Sequence, residues 1–128
     1  MNMHYSIEER RSLTPIEVEL LTFMLGKEKP DRLSEIEELH VVARCGCGEC
    51  PTVLFSVSPG GEPKTGVFSE LAHFMGRNTH GELVGVALLE RSGEICELEA
   101  WSPEGGSITA WPAVENLSRF QPREVGQK

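Results

Sequence analysis

The hydrophobic period of this chain changes once, near Val41, and that change limits the fold more than any single residue does. Upstream, apolar residues recur every three to four positions, the spacing of one helix face. Downstream they recur every two, the spacing of one sheet face. A chain patterned this way is expected to form helices first and an antiparallel sheet after, giving an α+β layer in which the helices cover the sheet's apolar side.

The first helix is signalled by "LTPIEVELLTFMLG". Thr14 is placed as N-cap, Pro15 as the first helical residue, Glu17 as the reciprocal partner of a capping box and Leu13 with Val18 as a hydrophobic staple. Ile16, Leu20, Phe23 and Met24 share a face, and Gly26 is the expected stop. Pro30 and Asp31 open a shorter helix in which Leu33, Ile36 and Leu39 repeat, while Glu35, Glu37 and Glu38 face water. "HVVAR" and "TVLFSVS" then read as a hairpin around the cysteine turn, and "SPGGEPKTG" as a surface loop. "ELVGVALLE" and "EICELEAWS" read as a second hairpin turning at Ser92 and Gly93. "VFSELAHFMGRN" between them reads as an added strand ending near Arg77. In "EICELEAWS" the alternation puts Cys96, Leu98 and Ala100 on the core face and Glu97 and Glu99 on a wet one. The expectation is two N-terminal helices packed on one face of a four- or five-stranded antiparallel meander. It forms one domain over residues 1–120, with a mobile C-terminal tail at 121–128.

Composition removes several function classes. The chain has 128 residues with a formal net charge of −8, and its twelve Lys and Arg are scattered apart from Arg10 and Arg11. An acidic field with no basic face repels nucleic acid and anionic lipid, so neither is expected as a partner. No run approaches the ~20 apolar residues that cross a bilayer. The charged N-terminus lacks the apolar core of a secretory signal, which points to a cytoplasmic protein with reduced cysteines.

The chemistry is concentrated in "RCGCGECP", which places Cys45, Cys47 and Cys50 within six residues. Cys47 and Cys50 form the C-x-x-C grip of thiolate metal sites and Cys45 adds a third sulfur, but zinc takes four ligands in a tetrahedron. The fourth candidate depends on strand count. With five strands the turn Asn78 to Gly81 lies at the cysteine end, which nominates His80. With four, the Ser92-Gly93 turn does, which nominates Cys96. His40 is remote in both cases. Three readings stay open: plain reduced thiols in a tight turn that Gly46 and Gly48 allow, a structural zinc, or thiol redox chemistry, which has Arg44 as its only nearby cation and no helix start at Cys47, so that thioredoxin-like catalysis is disfavoured.

Other motifs fail their own requirements. Around Lys64 and Thr65 the glycines stand in the wrong places for a phosphate loop, with Pro63 and Ser58 at the positions that require Gly. The histidines have no nucleophile setting, and His73 reads as a strand residue with a satisfied ring.

The order of the "LTP" helix, "RCGCGECPT" leading into a strand, "GELVGVALLE", "SGEICELEAWS" and a late Trp-Pro resembles a family of small uncharacterised bacterial proteins with an Arg-Cys-Gly-Cys-Gly-Cys-Pro turn. The resemblance runs from about Leu13 to Pro112. It is most specific at Arg44, Cys45, Gly46, Cys47, Gly48, Cys50 and Pro51, with Glu49 as one inserted residue. It implies a common domain and no particular activity. The leading functional reading is therefore a binding or interaction domain that acts on a protein partner or on itself, with the cysteine turn as a structural element and no catalytic residue assigned. The rival is a thiol- or metal-dependent enzyme built on Cys45, Cys47 and Cys50.

Overall fold

The computed structural model describes residues 6–64 and 66–120. The elements in chain order are β1 (Ser6–Arg11), α1 (Pro15–Glu28), a 3-10 helix (Pro30–Glu38), β2 (His40–Cys45), β3 (Val53–Ser56), β4 (Ser69–Arg77), β5 (Leu83–Arg91), β6 (Glu94–Trp101), a short 3-10 turn (Val114–Asn116) and β7 (Ser118–Arg119). The tail expected at 121–128 lies outside the described residues.

The α+β expectation holds, with a helix pair against an antiparallel sheet, but the sheet is larger and is not a meander. It has seven strands in the order β1-β2-β3-β6-β5-β4-β7. β1 precedes the helices and pairs along the outer edge of β2, its six residues carrying two Glu and two Arg. That density of charge hides the strand from a hydrophobicity reading, and it also suits an edge that must not recruit another chain. The meander fails at β3, which pairs with β6 and not with β4. The twelve residues between Ser56 and Ser69 are too many for a tight hairpin. They carry the chain across the sheet, so β4 enters on the far side of β5.

Local chemistry explains α1. Thr14 Oγ1 accepts from the Glu17 amide at 3.4 Å while Glu17 Oε1 accepts from the Thr14 amide at 2.8 Å. The buried Glu17 carboxylate also receives two donors of Arg11 at 3.0 Å each. Gly26 does not stop this helix, which runs on to Glu28. Leu20, Leu21, Met24 and Leu25 are fully buried. They pack with Val41, Val53, Phe55, Phe74, Val84, Val86, Leu88, Ile95 and Leu98 as one core, so Leu21 and Leu25 join the expected stripe and Val18 stays exposed.

A bulge in β6 redistributes its side chains. The register slips between Leu89↔Glu97 and Glu90↔Ile95, so one extra residue enters β6. Ile95 takes the core position expected of Cys96, and Cys96 joins Ala87 and Leu89 on the opposite face. Beyond the bulge Leu98 and Ala100 face the core as expected, with Glu97 and Glu99 opposite. That opposite face is not open to water, because Pro63 and Lys64 line it, Arg91 binds the Lys64 and Gly66 carbonyls there, and the two carboxyls are half-buried. On the same face Trp101 lies over Gly85, donates to His73 Nε2 at 2.7 Å and meets Phe120 edge-on. His73 Nδ1 pairs with Glu70 at 2.9 Å, so its ring is satisfied on both nitrogens.

A Cβ at Gly85 would sit 2.2 Å from Trp101 Nε1. Gly85→Ala is therefore expected to displace the indole and cost about 1–3 kcal/mol by overpacking. Leu98→Ala should cost about 2–5 kcal/mol from the cavity it leaves. Urea unfolding followed by circular dichroism measures both.

Candidate metal and ligand site

The turn from Cys45 to Thr52 folds around its sulfurs. The Gly48 amide closes on the Cys45 carbonyl at 3.1 Å, with Gly48 at φ +76, a conformation that disfavours a side chain. Gly46 does not share this conformation, so Gly48 alone makes the left-handed step. Arg44 reaches over the turn and donates to the Gly48 carbonyl at 3.0 Å, bracing its backbone. At the base, Thr52 Oγ1 accepts from the Ala100 amide at 2.9 Å and fastens the turn to β6.

The sulfur atoms of Cys45, Cys47 and Cys50 all lie within 4.8 Å of one another, and the three together could hold a metal ion. Tetrahedral thiolates about 2.3 Å from a zinc stand about 3.8 Å apart, so a small side-chain rotation closes the difference. Backbone amides already point at the sulfurs. Cys47 Sγ accepts from Cys50 N at 3.2 Å and from Glu49 N at 3.4 Å, and Cys45 Sγ accepts from Cys47 N at 3.5 Å. Glu49, the insertion, thus contributes one of the two amides at Cys47.

These contacts separate the thiols electrically. The amides of Cys50 and Glu49 lower the pKa of Cys47 to about 7. Burial, against the pull of the Cys47 amide, pushes Cys45 up to about 12. Cys47 is exposed and Cys45 is half-buried. Arg44 is the only cation the sequence sets beside these thiols, and it is two amides of the turn that lower the Cys47 pKa.

Neither fourth candidate joins the cluster. The Asn78 to Gly81 turn does lie at the cysteine end, because Gly85 pairs with Trp101 and Arg77 with Leu83. The intervening strands keep it about 10 Å or more from β3. His80 instead bonds Thr109 Oγ1 at 2.8 Å. Cys96 lies toward the other end of β6, 3.7 Å from a guanidinium nitrogen of Arg91. Among the described residues no other Cys, His, Asp or Glu comes within the same radius.

The cluster opens on a cavity of about 430 Å³ that the sequence did not reveal. Its floor is Glu97 and Glu99 of β6 with Leu54 of β3, and Pro63, Lys64 and Arg91 also line it. Arg91 holds the crossing segment down, donating to the Gly66 carbonyl at 2.8 Å and the Lys64 carbonyl at 2.9 Å while Phe68 covers its guanidinium. Burial and then the neighbouring Glu99 raise the Glu97 carboxyl to about 7, and burial and then Glu70 raise that of Glu99.

Comparison with known proteins gives no relative: no family model, no curated protein and no solved structure matches this chain. The resemblance drawn from the cysteine turn therefore reduces to the cluster itself. No described helix is long and apolar enough to cross a membrane.

Alkylation of the reduced, metal-free protein near neutral pH should modify Cys47 first, leaving Cys45 and Cys96 slow, as peptide mass mapping over time will read. Glu97 yields a pH test. Its folded pKa lies above the unfolded value, so the ionised form opposes folding above about pH 7 and the penalty fades as pH falls toward about 4.5. Glu97→Gln is accordingly expected to stabilise the fold by about 1–3 kcal/mol near pH 8 and by little near pH 5, measured by denaturant unfolding at each pH.

Proposed function

We propose that this protein is a metal-binding domain that takes a thiophilic divalent ion, zinc first, on Cys45, Cys47 and Cys50. The observation that carries the reading is the convergence of the three sulfurs, with turn amides donated to two of them. Amide donors stabilise thiolates, and thiolates are the form that binds metal. With no fourth side chain in reach among the described residues, the remaining position faces water and the cavity, as in zinc sites that exchange a ligand. This reading keeps the leading idea of a binding domain and gives the cysteine turn the binding role.

The test is metal content. Protein purified under reducing conditions, loaded with zinc and desalted, is expected to retain about one zinc per chain by elemental mass spectrometry. Cys47→Ser should lose most of it and Cys96→Ser none. Chelation should lower the melting temperature of the wild type by several degrees and leave Cys47→Ser unmoved. Four free thiols with no retained metal would return the turn to a purely structural role.

A further inference from the structure

The cavity carries more charge than three thiols use. Along β6, Glu99 and then Glu97 project from one face, about 7 Å apart along the strand, and Arg91 follows from the end of β5. Arg91 is 7% exposed, and its mapped partners are the two carbonyls and the neutral sulfur of Cys96. Among the described residues no carboxylate lies within ion-pair distance of it, and no cation lies that close to Glu97 or Glu99. Lys64, the other cation of the lining, is already paired with Glu94 at 3.2 Å.

Arg91 pulls against the raised pKa of the Glu97 carboxyl but closes no ion pair with it, and a buried guanidinium near two half-buried carboxyls without an ion-pair partner is costly. A small anion would meet the carboxylates, and a small cation would meet the guanidinium. A molecule bearing both charges answers all three groups. Most of the remaining lining is apolar, from Leu54, Pro63 and the sulfurs, with Ser6 and Thr52 as its uncharged polar groups, and the volume suits a small molecule. We propose that this cavity binds a free apolar α-amino acid, its ammonium on Glu97 and Glu99, its carboxylate on Arg91 and its side chain against Leu54 and Pro63. The arrangement needs no metal, so this site stands or falls apart from the one on the cysteines.

Calorimetric titration of the reduced, metal-free protein near neutral pH tests it with three probes of one carbon skeleton: L-leucine, isoamylamine, which lacks the carboxylate, and 4-methylpentanoate, which lacks the amine. L-leucine is expected to bind, with each single-charge analogue at least about tenfold weaker. Because Arg91 also pins the crossing segment, the variant of choice is Glu99→Gln, checked for an intact fold by circular dichroism. It should weaken L-leucine about tenfold and leave 4-methylpentanoate no weaker. Binding of either analogue as tightly as L-leucine, an unchanged L-leucine affinity in Glu99→Gln, or no heat from any probe with the folded wild type would overturn the assignment.

Discussion

The pairing of β3 with β6 joins the molecule's two halves. β1, β2 and β3 form one group of strands and β6, β5, β4 and β7 the other, and the two meet at Val53↔Leu98 and Leu54↔Glu97. So short a ladder is reinforced by Thr52, whose hydroxyl bonds the backbone of Ala100. Each paired position also divides labour between faces. Val53 and Leu98 enter the core beneath α1, while Leu54 and Glu97 floor the cavity. One register thus fixes both the hydrophobic layer and the place where the cysteines look out.

Much of the fold was legible because it is local. A Thr-Pro start with Glu three residues on specifies a helix from contacts inside one turn, and two-residue alternation specifies strands from the side chains alone. The lost parts are non-local or contrary to pattern. β1 is too charged to read as a strand, the strand order depends on where a twelve-residue connection lands, and the bulge at Ile95 and Cys96 inverts a face without leaving a mark in composition.

The site divides along the same line. Three cysteines within six residues of a Gly-rich stretch converge once the chain turns there, so their cluster was visible from the sequence. The cavity was not, because Glu97 and Glu99 alternate as solvent-facing residues do. What removes them from water is a crossing segment held by Arg91, whose place in the sequence marks it only as the residue before a turn. The Asn78 to Gly81 turn reaches the cysteine end as the five-strand reading required, yet His80 spends its ring on Thr109.

The order of assembly follows from the spacing of partners along the chain. The cysteine turn is complete once β2 and β3 pair, a contact between near neighbours, whereas the cavity needs β3 to find β6 some forty residues later. Closing the longer loop is the slower event. A chain emerging during synthesis would therefore present its three sulfurs as a finished group well before their chamber exists, and any ion captured then would be enclosed by the rest of the fold as it formed.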